Sequence, residues 1–289
     1  MVIDARFKSL FIFPAVGITT ILFVVSVIAA LLGGFEATAW LGAAIASMPL
    51  PVIAAYVTLG GVERTSENMP FMLLIGAAGI MVALWEQFIE GSSGWGPTGV
   101  ALASGLLLLL YVFWYSRFGR HDSVHLMVGS KLPDFSLRDV DGNDFSSSSL
   151  LGAPAVLMFY RGNWCPLCMA QIKEIAERYQ DMDAMGIKVV LVSPQPEEHS
   201  RKLAGEYDVP FIVLVDEESK GAAELGVANK NAVPVGIPGG YGPDTVLPTL
   251  VVTNENGTIL FSDQTDNYRV RPEPDVFLAI LRRAGVIAK

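Results

Sequence analysis

Cys165 and Cys168 are the only cysteines in this chain of 289 residues, and they stand three positions apart. On a helix that spacing is just under one turn, close enough for the two sulfurs to form a disulfide. A structural disulfide framework needs more pairs closing larger loops. A zinc centre needs a second pair of ligands, and the three histidines are scattered at 121, 125 and 199. His121 and His125 share the four-residue spacing of one helix face, but without a third ligand nearby they read as a solvated pair. What remains is thiol–disulfide chemistry. One thiolate attacks a disulfide or a peroxide, and its neighbour resolves the product as a Cys165–Cys168 disulfide. No cofactor beyond that redox-active disulfide is expected, and no metal.

The flanking residues say how the pair is held. Ala155 to Tyr160 is an unbroken apolar run, the pattern of a strand buried on both faces. Beyond the cysteines, Met169, Ile172, Ile175, Ala176 and Tyr179 recur at helical spacing, with Gly186 as a stop. Cys165 thus falls at a strand-to-helix junction, where unpaired helix N–H groups and the positive end of the helix dipole favour a thiolate. Cysteines so placed titrate anywhere from ~3.5 to ~7.5. Cys165 is therefore the expected nucleophile, and Cys168, more buried, the expected resolving thiol. Arg161 adds positive charge if it turns toward the sulfur, and Arg271 is a further candidate for an anion-side contact. Trp164 reads equally as core packing and as a shield over the disulfide that lines the substrate surface. Tyr160 reads as core.

Strands and helices alternate through the rest of this half. Asp141-Gly142 marks a hairpin between the runs at Phe135 and Phe145. Ile187–Val192 and Phe211–Val215 read as further strands, with helices over Glu197–Tyr207 and Glu217–Leu225. A Gly/Pro-rich stretch from Asn229 to Thr245 reads as a solvent loop. A second hairpin turns at Asn256-Gly257, and a last helix covers Pro274–Arg283. This order predicts an α/β domain, a mixed sheet with helices on both faces.

The segment Phe159-Tyr160-Arg161-Gly162-Asn163-Trp164-Cys165-Pro166-Leu167-Cys168 resembles the active-site turn of the thioredoxin superfamily. Val246-Leu247-Pro248-Thr249-Leu250 resembles its cis-proline loop. Lys131-Leu132-Pro133-Asp134-Phe135, with Phe-Tyr-Arg-Gly ahead of Trp-Cys, is closer to the AhpC/TSA (redoxin, peroxiredoxin-like) branch. The resemblance covers about residues 127–289. It implies a thioredoxin-like fold, and a cis Pro248 that, with Thr249, presents backbone to an extended substrate. Two departures stand out. Peroxiredoxins carry Pro and Thr or Ser seven and three residues before the reactive cysteine, where this chain has Met158 and Gly162. Thioredoxins bury an Asp where this chain has Phe159.

The first 120 residues are of another kind. They hold five Lys/Arg and six Asp/Glu, against fifteen and twenty-three in the remainder. Mean hydropathy over the whole chain is +0.45. Four apolar stretches, Leu10–Leu32, Trp40–Leu59, Phe71–Phe88 and Thr98–Tyr115, approach the ~20 residues that cross a bilayer as a helix. Pro49 and Pro51 predict a kink in the second. The first is too long for a signal peptide and three more follow it. Arg6, Lys8, Arg64, Arg117 and Arg120 fall on alternate sides, which places both termini in the cytoplasm. Glu86 sits near the end of the third stretch, as a snorkelling carboxylate does. Without cysteine or histidine this half cannot relay electrons by thiol exchange, so it reads as an anchor.

The sequence thus predicts a transmembrane helical region over 1–120, a juxtamembrane linker over 121–130 and a redox domain over 131–289. The function expected is a thiol–disulfide oxidoreductase of the inner or plasma membrane, its redox domain cytoplasmic. Its partners would be protein disulfides or peroxides, an external thiol reductant, membrane lipid and a membrane partner protein. One alternative is a thiol peroxidase with Cys165 peroxidatic and Cys168 resolving. Another, of a different class, is a redox-sensing binding module that turns nothing over. The net charge of −9 speaks against nucleic acid, whose phosphates need clustered Lys and Arg.

Overall fold

The computed structural model describes residues 2–90, 94–207 and 209–287. The chain divides into two compact units, residues 10–117 and residues 1–9 with 118–289.

The first unit is helical: α1 (Val2–Leu32), α2 (Ala37–Ser47), α3 (Pro49–Leu59), α4 (Pro70–Trp85) and α5 (Trp95–Leu109). α4 and α5 run on into π-helical turns, over Glu86–Glu90 and Leu110–Tyr115. Four helical spans, Asp4–Leu32, Ala37–Leu59, Pro70–Ile89 and Trp95–Tyr115, are long and apolar enough to cross a membrane. The second span breaks at Met48, just before Pro49, as the prolines predict. Small residues let backbones touch: a Cβ on Gly79 would stand 2.3 Å from Ala46 N and 2.6 Å from Gly42 O. Ser47 and Ser104 share a hydrogen bond of 2.8 Å within this packing.

The second unit is built on a seven-stranded mixed sheet. Its strands are β1 (Ser136–Asp139), β2 (Asp144–Ser146), β3 (Ala155–Phe159), β4 (Lys188–Ser193), β5 (Ile212–Val215), β8 (Thr249–Thr253) and β9 (Ile259–Asp263). They lie in the order β2-β1-β5-β4-β3-β8-β9, while β6 (Ala228–Asn229) and β7 (Thr245–Val246) form a separate two-stranded ladder. β3, β4 and β5 are parallel, and β8 runs antiparallel beside β3. α6 (Pro166–Glu177) and the short α7 (Tyr179–Ala184) connect β3 to β4, and α8 (Glu197–Glu206) connects β4 to β5. α9 (Lys220–Glu224) and α10 (Pro274–Arg283) complete the flanking helices. Every residue of β3 is buried, the reason its apolar run is continuous.

Residues 118–130, expected as a linker from 121, are packed onto this domain. Phe118 N donates to Asp266 O (2.8 Å), Ser123 Oγ to Leu225 O (2.6 Å) and Gly129 N to Ile259 O (2.8 Å). Leu126 is buried in the sheet's core. Backbone groups that find partners this regularly make the segment part of the fold.

Candidate active site

β3 carries the chain to the site. Tyr160 N donates to Val192 O (2.9 Å), so the pairing with β4 runs one residue past the strand. Arg161 O accepts from Thr245 Oγ1 at 2.8 Å. Gly162 then turns with φ +133°, open to glycine and strained for other residues. A Cβ there would lie 2.8 Å from Trp164 Nε1 and 3.3 Å from Gln195 Oε1. The turn itself disfavours the Thr or Ser of the peroxiredoxin pattern. Cys165 N closes it onto Gly162 O (3.1 Å), and Cys165 O accepts from Cys168 N (3.0 Å) and Met169 N (3.1 Å). Cys165 is thus the N-cap of α6, with Pro166 in the first turn, where an N–H has no helical partner anyway.

Both sulfurs are buried: Cys165 is 2 % exposed and Cys168 fully enclosed. They are free thiols hydrogen-bonded to one another. Two guanidiniums accompany them. Arg271 Nη2 lies 3.8 Å from Cys168 Sγ, while its Nε donates to Tyr268 O (3.0 Å). Arg161, also buried, donates from Nη2 to Ala232 O (2.8 Å). Its Cζ stands 4.6 Å from the centre of the Trp164 ring and 5.9 Å from that of Phe118.

This geometry corrects the expected ionisation. The hydrogen bond to Cys168, burial and the Cys168 charge push the Cys165 thiol well above its ordinary value, against the pull of Arg161 and Arg271. Burial opposes ionisation of Cys168 as well. There, however, the hydrogen bond from Cys165, the Arg271 charge and the Arg161 backbone N–H and charge together bring it down to about 6. The shared hydrogen bond and the two guanidiniums thus favour one thiolate within the pair, with the charge drawn toward Cys168. Only the helix start was visible locally; Arg271 arrives from 103 residues away.

A polar network adjoins the pair. Gln195 Nε2 donates to Tyr160 Oη (2.9 Å), Asn163 Oδ1 (2.9 Å) and Ser200 Oγ (3.2 Å), while Gln195 Oε1 accepts from Asn163 N (2.8 Å). Tyr160 is core, as expected, but its hydroxyl belongs to this network; burial raises its pKa and keeps it protonated. Gln195 was missed. Its position just past the carboxyl end of a parallel strand was the available signal. The Gly/Pro-rich loop is no mere solvent loop, since Ala232 holds Arg161 and Tyr241 stacks on His199 at 4.3 Å.

Pro248 and Thr249 sit where the resemblance put them along the chain, with Thr249 paired opposite Phe159. Their roles differ from expectation. No peptide bond among the described residues is cis, so Leu247–Pro248 is trans. A trans bond is the ordinary preference, and here it suits an extended run in which Leu247 N reaches Val227 O (2.7 Å). Nor is the backbone offered outward. Arg120 Nη1 donates to Pro248 O (3.0 Å) and to Thr249 Oγ1 (3.2 Å), and Nη2 to Thr249 Oγ1 (3.2 Å) and Gln264 Oε1 (3.2 Å). Thr249 Oγ1 itself donates to Leu247 O (2.9 Å). Arg120, which the sequence suggested as a charge marking membrane orientation, is 8 % exposed inside the redox domain. Burial lowers its pKa, opposed by Asp122, Asp263 and Asp266.

A mixed sheet with Trp-Cys-x-x-Cys between a buried strand and a helix defines a thioredoxin-fold domain. Residues 128–262 match the model of the AhpC/TSA family. Chloroplastic peroxiredoxin Q of Sedum lineare is 34% identical over 99 residues, covering 34% of this chain and 53% of that protein. The thiol-disulfide oxidoreductase ResA of Geobacillus thermodenitrificans is 26% identical over 157 residues, covering 53% of this chain and 80% of ResA. The chain spans about half the length of the peroxiredoxins Q it matches. The crystal structure of peroxidoxin BcpB from Mycobacterium tuberculosis aligns with 56% of this chain and 98% of its own, at 24% identity and a TM-score of 0.46.

Proposed function

We propose that this protein is a membrane-anchored oxidoreductase in which Cys165 and Cys168 cycle between dithiol and disulfide. The observation that carries it is the buried, mutually hydrogen-bonded thiol pair with Arg271 at 3.8 Å from Cys168 Sγ. A dithiol poised to lose one proton near neutrality is ready to donate two electrons. Once the shared proton passes to Cys168, the Cys165 thiolate attacks a substrate disulfide and one substrate thiol departs with a proton. Cys168 then displaces the second thiol, and the Cys165–Cys168 disulfide forms. An external thiol reductant restores the pair. Trapping tests this: Cys168→Ser in the full chain should accumulate a mixed disulfide at Cys165, readable by mass spectrometry. A covalent adduct that survives Cys165→Ser instead would sink the reading. Absence of any turnover, with redox-dependent capture of a partner, would favour a sensor.

A peroxidase reading is favoured by one observation, the 2 % exposure of Cys165. A two-oxygen oxidant reaches so enclosed a sulfur with less opening than a protein disulfide needs. Consumption of hydrogen peroxide by the full chain, lost on Cys165→Ser, would select it.

For topology, Arg6, Lys8, Arg64, Arg117 and Arg120 together favour a cytoplasmic side for both termini. The reducing cytoplasm would keep the pair as a dithiol. A reporter fused at the C-terminus decides between the two sides.

A further inference from the structure

A cleft of about 340 Å³ opens between the first turns of α1 and the Gly/Pro-rich loop. Arg6, Asn231 and Tyr241 bring polar groups to it, and Val233, Val235 and Ile237 give it apolar surface. Both walls belong to one compact unit, and Val235 N joins them by donating to Ser9 O (2.9 Å). The same loop reaches the thiol site, since Ala232, between two residues of the cleft, accepts from Arg161 Nη2. The charges here leave one cation over. Lys8 pairs with Asp4 on α1, and Asp244 Oδ1 accepts from Asn231 N (2.8 Å) on the loop. The Arg6 guanidinium, the Asn231 amide and the Tyr241 hydroxyl have no hydrogen-bond or ion-pair partner among the described residues.

We infer that this cleft seats the phosphodiester of an anionic membrane lipid, with Arg6 as its charged donor and Asn231 and Tyr241 as neutral ones. The inference rests on the membrane-anchored reading above. The span Asp4–Leu32 begins at the cleft, and Phe7, next to Arg6, is 61 % exposed. A basic residue at the start of an apolar span stands at the level of the lipid headgroups. A guanidinium presents paired N–H donors that match two phosphate oxygens. Beyond residue 120 the chain carries fifteen Lys/Arg against twenty-three Asp/Glu, so its overall field does not gather anions. An anion held here is held by the local cation. The volume is at the small end of ligand pockets, room for a headgroup and not for acyl chains. Val233, Val235 and Ile237 then meet the glycerol and the start of a chain, contacts that a free phosphate ion lacks.

The test uses the full chain in nanodiscs of equal phosphatidylglycerol and phosphatidylcholine, with native mass spectrometry of the lipids it retains on release. The parent should retain phosphatidylglycerol in preference. Arg6→Gln should lower that preference ~5-fold, the contribution of one basic residue near an anionic surface. A Cβ on Gly242, which also lines the cleft, meets nothing within 4 Å, so Gly242→Phe fills space and leaves the charge intact. It should lower the preference as far. Arg138→Gln removes an equal charge from exposed β1 and should change nothing. No preference in the parent, an undiminished one in either cleft variant, or an equal loss in Arg138→Gln would overturn the assignment. So would displacement of the retained lipid by inorganic phosphate alone, which would give the cleft to a soluble phosphate compound. A chain that stays in solution without lipid or detergent would overturn the anchoring reading instead, whatever the variants do.

Discussion

Arg271 Nη2 lies 3.8 Å from Cys168 Sγ, and its charge, after the hydrogen bond from Cys165, helps bring that thiol down. The consequence is a measurable pH profile. Cys168 titrates at about 6, below the ordinary thiol range, so the thiolate is the favoured form at neutrality. Alkylation of the reduced protein by iodoacetamide should rise through pH 6 and level off by about 7.5, ahead of a free cysteine at ~8.5. Arg271→Gln withdraws the cation and moves that rise upward. Alkylation at pH 6 should fall accordingly. The same linkage has a sign for folding. A depressed thiol contributes stability above its unfolded pKa and loses it as pH falls through about 6. Reduced protein, compared with Cys168→Ser, should therefore lose stability from pH 8 to pH 5.

Arg120 ties the start of the redox domain to β8. Replacing it with Met would leave Pro248 O and Thr249 Oγ1 without their donor, while Gln264 Oε1 keeps the one from Ser123 N. Hydrogen bonds to a charged group are each worth ~1.5–3 kcal/mol, so Arg120→Met should cost about 2–4 kcal/mol. Hydrogen exchange of the β8 amides reports it directly. Unchanged protection over 249–253 would count against this role.

Gly162 answers to both backbone and indole. Gly162→Ala meets φ +133° and a nitrogen at 2.8 Å, a loss of ~1–3 kcal/mol from backbone strain alone. Trp164→Phe removes the nitrogen in the way. The double variant should therefore be more stable than the sum of the singles predicts, by ~0.5 kcal/mol or more in a double-mutant cycle. Strict additivity would mean that the indole does not constrain position 162.

In the helical unit the crossing of α2 and α4 depends on Gly79. A leucine there places Cβ 2.3 Å from Ala46 N, a backbone atom with nowhere to move. Gly79→Leu should cost at least the ~1–3 kcal/mol of ordinary overpacking. In detergent this appears as loss of helical circular dichroism at a lower fraction of dodecyl sulfate. A variant as resistant as the parent would show that the crossing relaxes freely.

What is local in this protein is legible in the amino-acid sequence by itself. The apolar run at 155–160, Pro166 opening a helix and the Asp141-Gly142 and Asn256-Gly257 turns all declare themselves through periodicity or turn chemistry. So do the four apolar stretches and the pairing of Cys165 with Cys168, since these depend on neighbours within a few residues. Tertiary structure decided the rest. Arg271 is 103 residues from Cys168 and Arg120 is 128 from Pro248; sheet register and loop packing bring them together, and no spacing rule reports it. The enclosed sulfurs and the charges around them follow from those long-range contacts. A helix start sets only part of a thiol's field; burial and distant charge set the remainder.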